Sequence, residues 1–127
     1  MGLFCDFTFK KINFQIACGM DFLSKRNIYH GDLAARNILL TDHLIAKISD
    51  FGLSRRLYHE MGPCPITKEK DVKLILPMKW LALEILNNGE IVPMKTDVWS
   101  YGVVIWEMFQ LGLEPYSRGN TNRNTVS

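Results

Sequence analysis

Three features of the sequence predict an α+β fold that is mainly helical. Two long segments carry apolar residues at helical spacing, two short apolar runs lie between them, and a long aperiodic stretch separates those runs from the second helix. With 127 residues there is room for one modest domain, able to bury roughly two-thirds of its unfolded surface. Apolar residues make up 47% and charged residues 22%, proportions that fit an ordinary globular protein. The net charge of +2 is too small to favour a nucleic acid or a membrane surface as partner. Cys5, Cys18 and Cys64 are odd in number and form no C-x-x-C pair. That disfavours both a disulfide scaffold and a zinc site, and fits a reducing compartment. No apolar run approaches the ~20 residues of a membrane helix, since Val103-Val104-Ile105-Trp106 ends at Glu107. The Met1-Gly2 start lacks a myristoylation signal, because Asp6 stands where Ser or Thr is needed.

Each element follows from its own stretch. Between 7 and 24, Phe9, Ile12, Ile16, Met20 and Leu23 line one face of a helix, with Lys10 and Lys11 on the wet side. Ile38-Leu39-Leu40 and the run 44–48 flank the polar Thr41-Asp42-His43 and read as a small hairpin. The stretch 49–77 contains Gly52, Gly62, Pro63 and Pro65 and reads as a long loop, of a length that in compact domains is usually functional or disordered. Thr96 is a candidate cap for a second helix reaching about Gln110, with Gly112 as its stop. Val98, Trp99, Tyr101, Val103, Val104, Ile105, Trp106 and Met108 make that helix apolar nearly all round, which predicts burial on most sides. Residues 117–127 form a polar tail with no core to join, so the domain is read as 1–116.

Two acidic clusters carry the chemistry. His30-Gly31-Asp32-Leu33-Ala34-Ala35-Arg36-Asn37 precedes the hairpin and Asp50-Phe51-Gly52 follows it. Because a hairpin brings its ends together, Asp32, Asn37 and Asp50 should converge. Such hard oxygen ligands suit Mg²⁺, which binds through one or two carboxylates plus substrate phosphates.

The first cluster resembles the catalytic loop H-R-D-L-A-A-R-N of protein kinases, in the form typical of receptor tyrosine kinases, and Asp50-Phe51-Gly52 resembles their magnesium motif. Leu76-Pro77-Met78-Lys79-Trp80 is similar to the tyrosine-kinase segment that seats the acceptor tyrosine, and Ala82-Leu83-Glu84 to the A-P-E that closes the activation segment. Thr96-Asp97-Val98-Trp99-Ser100-Tyr101-Gly102 resembles the start of the family's buried central helix. The likeness runs in order from about Phe9 to Tyr116, and five motifs in family order are specific where a lone D-F-G is not.

The resemblance implies part of the C-terminal lobe of a kinase: helix, catalytic loop, hairpin, activation segment and central helix. It implies transfer of the ATP γ-phosphate to protein tyrosine, with ATP and Mg²⁺ as cofactors. Asp32 would be the base and Arg36 a charge stabiliser, while Asn37 and Asp50 would hold the metal. Asp97 would hold the catalytic-loop backbone from below. His30 would be a core histidine packed with Phe51, and Trp80, Trp99 and Trp106 would be core. His43, His59 and Cys64 lie in loops and carry no metal role. Tyr58, the one tyrosine between Asp50 and Glu84, is either a regulatory phosphosite or merely exposed. Gly31 replaces the arginine that grips a phosphorylated activation loop in many kinases, and Leu83 replaces a proline. No G-x-G-x-x-G loop and no V-A-x-K strand precedes Phe9. The chain is therefore expected to be inactive alone, as a fragment of a kinase located at the plasma membrane with its catalytic domain cytoplasmic. The parent could act in a dimeric receptor. The alternative reading is a non-catalytic binding or decoy module.

Overall fold

The computed structural model describes residues 2–51, 64–65, 78–88, 90–91 and 93–117. Its elements in order are α1 (Gly2–Lys25), β1 (Ile38–Leu40), β2 (Ala46–Ile48), β3 (Cys64–Pro65), α2 (Leu83–Asn88), β4 (Glu90–Ile91) and α3 (Pro93–Phe109), with 3₁₀ turns at Ala35–Asn37 and Met78–Trp80. β1 and β2 pair antiparallel with Ile38 opposite Ile48, and β3 pairs antiparallel with β4. The pairing of Cys64–Pro65 corrects the reading of 49–77 as loop throughout. Short runs like this carry too little periodicity to be found in a sequence.

The predicted apolar face of α1 is its buried face: Ile12, Ile16 and Leu23 are buried, and Lys10 and Lys11 are exposed. Ile12 and Ile16 join Leu33 and Val104 in one core cluster, with Met20, Ile38, Ala46, Ile48, Tyr101 and Met108 packed against it. A second cluster gathers Tyr29, Leu81, Ala82 and Ile85. α1 begins at Gly2 rather than at residue 7, carried back by a turn in which Asp6 pairs with Lys10 at 2.9 Å. It ends in a Schellman motif. Asn27 takes the left-handed position (φ 55), and Ile28 N–H and Asn27 N–H donate to the Leu23 and Ser24 carbonyls.

Helix α1 also splints the hairpin. The Gln15 side-chain oxygen accepts from Ala46 N–H at 2.6 Å. Gly19 permits the approach: a Cβ there would lie 2.8 Å from the Ile48 side chain.

The predicted start of the second helix shifts, whereas its end near Gln110 and Gly112 holds. It starts at Pro93, whose fixed φ and missing N–H suit a first helical position, so Thr96 lies a turn inside the helix and is buried. It stops in a second Schellman motif, where Leu111 (φ 54) takes the left-handed position and Gly112 follows it, donating its N–H to the Glu107 carbonyl at 2.8 Å. The helix is buried along one stripe only. Trp99 and Trp106, expected in the core, are partly exposed, and Val98 and Phe109 are exposed outright.

Candidate active site

The loop between α1 and β1 carries no regular structure until Ala35, so its shape depends on outside partners. Helix α3 supplies them. Asp97 accepts from His30 N–H (2.8 Å, Oδ2) and Gly31 N–H (3.1 Å, Oδ1), while Glu107 Oε2 accepts from Ala35 N–H at 2.9 Å. Asp97 and Glu107 lie on the same helical stripe as Ser100 and Val104, about 15 Å apart along the axis at ~1.5 Å per residue. The loop is thus pinned at both ends to one rigid rod. Burial pushes the Asp97 carboxyl above its ordinary pKa, and the two backbone N–H groups pull against that. Gly31 sits at φ 82, a conformation costly for any residue with a Cβ.

His30 is fully buried, as expected, with its ring centroid 4.8 Å from that of Phe51. Its Nδ1 accepts from Asp32 N–H at 3.1 Å, which leaves Nε2 as the donor to the Ser49 carbonyl at 2.9 Å. The histidine therefore ties the Asp32 backbone to the residue before Asp50.

The predicted side chains meet around Asp32. Arg36 donates to Asp32 Oδ1 at 2.6 Å and Asn37 Nδ2 to Oδ2 at 3.2 Å, so each carboxylate oxygen is held from a different direction. Asn37 Nδ2 also donates to the Asp32 carbonyl at 2.7 Å. The 3₁₀ turn at Ala35–Asn37 brings both donors round to Asp32. The Asp32 side chain is 17% exposed and that of Arg36 46%, so the carboxylate is recessed but open to solvent.

Hairpin closure delivers the last member. Ser49 donates both its N–H and its Oγ to the Asn37 carbonyl at 2.8 Å, setting Asp50 one residue beyond that contact. Asp50 is exposed and left-handed (φ 62), a conformation that costs a non-glycine residue about 1–2 kcal/mol and that clusters at functional sites. Among the described residues no group of three or more His, Cys, Asp or Glu forms a metal cage. The sparse set of Asn37 and Asp50 fits Mg²⁺, which keeps several waters and shares its shell with phosphates. Both of these Asn37 side-chain contacts use Nδ2, the donor end of an amide whose oxygen is an acceptor.

Asp32, Arg36 and Asn37 are therefore in contact and Asp50 follows the Ser49 that bonds Asn37, whereas Tyr58 and Gly52 lie outside the described residues. Sequence reasoning missed Glu107, seen only as an interruption of an apolar run. A lone acid inside such a run on a buried helix was itself a signal, because a buried charge needs donors. It also missed the tie from Trp80 to Glu107, where Trp80 Nε1 donates to Oε2 at 2.9 Å.

Residues 7–126 match the family described as protein tyrosine and serine/threonine kinase. Vascular endothelial growth factor receptor 1 of Gallus gallus is 48% identical over 104 residues, which is 82% of this chain and 7% of the receptor. Macrophage colony-stimulating factor 1 receptor 2 of Takifugu rubripes is 47% identical over 102 residues, 80% of this chain and 9% of that protein. The kdr-like vascular endothelial growth factor receptor of Danio rerio is 45% identical over 104 residues, covering 82% and 8% respectively. The chain thus spans between 7% and 9% of the length of these curated relatives. With its helix, pinned loop, hairpin and central helix in that order, this chain belongs to the protein tyrosine and serine/threonine kinase family.

Proposed function

We propose that this chain forms part of the catalytic site of a protein tyrosine kinase, which transfers the ATP γ-phosphate to tyrosine hydroxyls of proteins. The observation that carries the reading is the Asp32 carboxylate, held by Arg36 and Asn37 on a loop pinned by Asp97 and Glu107. A carboxylate offers about four lone-pair positions, and two serve these donors, so Asp32 retains acceptors for a tyrosine hydroxyl. The tyrosine oxygen attacks the γ-phosphorus, the bond to the ADP oxygen breaks, and the hydroxyl proton passes to Asp32. Arg36 keeps further N–H donors, which would meet charge on the transferring group. Asn37 and Asp50 would hold Mg²⁺, which when bound offsets charge on the phosphates. Most of the effect in such a site comes from position and electrostatics.

The similar proteins are receptors by name. Their likeness supports a receptor parent, placed at the plasma membrane with its kinase domain cytoplasmic. Among the described residues no helix is long and apolar enough to cross a membrane.

The test uses the full-length kinase carrying this segment, with Mg²⁺-ATP and a poly-Glu-Tyr peptide. Phosphotyrosine is expected, and Asp32→Asn should lower turnover by on the order of 10²–10⁴. Phosphoserine as the main product would overturn the tyrosine assignment, and an unimpaired Asp32→Asn enzyme would overturn the role of the base.

A further inference from the structure

Glu107 makes contacts that its family resemblance does not explain. One oxygen, Oε2, accepts from two donors at 2.9 Å: Ala35 N–H in the catalytic loop and Trp80 Nε1–H in the segment leading to α2. The residue is 5% exposed, and among the described residues it forms no ion pair. A carboxylate buried this far is tolerated because two N–H dipoles converge on it.

What those donors hold is the informative part. Trp80 is anchored twice to α3, through its indole to Glu107 and through its carbonyl, which accepts from Ser100 Oγ at 2.8 Å. Two anchors fix the plane of the indole ring. The Arg36 guanidinium carbon lies 4.3 Å from that ring's centroid, in cation–π contact. The same guanidinium donates to Asp32 Oδ1 at 2.6 Å. Ala35, the other partner of Glu107, opens the 3₁₀ turn that carries Arg36. Glu107 therefore sets both the backbone from which Arg36 springs and the aromatic plate on which its half-exposed head group rests.

We infer that Glu107 is a positioning residue for phosphoryl transfer, acting through Trp80 and Ala35 to hold Arg36 against Asp32. The inference rests on the tyrosine kinase reading and names a residue beyond it. Arg36 would otherwise be free to swing into solvent, leaving Asp32 Oδ1 without its fixed donor. A second consequence is that the tyrosine-seating segment and the base share one anchor, so displacing either disturbs the other.

The experiment is a double-mutant cycle in the full-length kinase, with kcat and the KM for ATP read for the parent, Glu107→Ala, Arg36→Ala and the double variant. Glu107→Ala should lower kcat about tenfold with KM for ATP within about twofold, the pattern of lost transition-state contact rather than lost binding. In the Arg36→Ala background the same substitution should change kcat by less than about twofold, since its route to Asp32 is gone. Glu107→Gln should stay within about threefold of the parent, because its amide oxygen can accept both N–H groups. Equal losses in both backgrounds, or a Gln variant as impaired as Ala, would overturn the inference. Should Glu107→Ala fail to fold, Trp80→Phe removes the N–H while keeping an aromatic face, and the same non-additivity with Arg36→Ala decides. An active parent with an additive cycle sinks this inference alone. A parent that makes no phosphotyrosine sinks the function reading and the inference with it.

Discussion

The two faces of α3 are inverted relative to hydropathy. Its buried stripe carries Thr96, Asp97, Ser100 and Glu107 around a single aliphatic residue, Val104. Its other side carries Val98, Trp99, Trp106 and Phe109, all exposed to a substantial degree. With Val103, Pro115 and Tyr116, the two tryptophans line an apolar groove of about 450 Å³. In an ordinary surface helix the apolar stripe turns inward and the charges outward. Here the inward charges are matched by backbone N–H groups of the loop and the Trp80 indole, and they convert the helix into a scaffold for the catalytic loop. Burial in this helix follows hydrogen-bond partners more than it follows side-chain type.

The contrast can be broken most forcefully at Asp97. Asp97→Ala leaves two recessed N–H groups of the loop without an acceptor, at ~1–3 kcal/mol each, so stability should fall by about 2–5 kcal/mol. Urea denaturation checks this, and a loss under 1 kcal/mol would mean that water replaces the carboxylate. A matched pair sharpens the comparison next. Val104 is 0% exposed and Val98 70%, on the same helix. Val104→Ala should cost ~1–3 kcal/mol in transfer and cavity energy, and Val98→Ala within about 0.5 kcal/mol of nothing. Equal costs would show that the outer face is covered in the folded protein.

A gentler change concerns the end of the helix. Leu111 is exposed and left-handed, so Leu111→Gly should raise stability by about 0.5–1 kcal/mol, seen as a higher melting temperature. The finest test is pH. Because the folded Asp97 pKa is raised, the folded state binds the proton more readily than the unfolded chain. Its contribution to stability is fully present below the unfolded value of about 3.9 and is lost as pH rises through the raised folded value. Denaturation midpoints of the parent and Asp97→Asn across that acidic window should therefore shift in favour of the variant as pH increases. A shift towards the parent would mean that the two N–H groups outweigh the burial.

Much of the site was legible because it is locally encoded. Asp32, Arg36 and Asn37 lie within six residues of chain, and a two-stranded hairpin brings Ser49, the residue before Asp50, onto Asn37. The apolar face of α1 was legible because its period is helical and its wet side is charged. The borders were less so: Thr96 looked like a cap because its side chain suits one, yet Pro93 starts the helix a turn earlier. Gly112 stops the helix as read, but Leu111, a residue poorly suited to the left-handed position, takes it one residue earlier.

By itself, then, the sequence determined the order of the motifs, the identity of the acidic and amide groups, and the helix that packs beneath the hairpin. Tertiary structure alone decided which side of α3 faces inward, that Glu107 would be buried, and that Trp80 would become a plate for Arg36 instead of a core residue. The reason is physical. A carboxylate leaves water only where donors are waiting, and those of Glu107 arrive from residues 35 and 80, far from it along the chain. No periodicity in α3 records where those N–H groups will be.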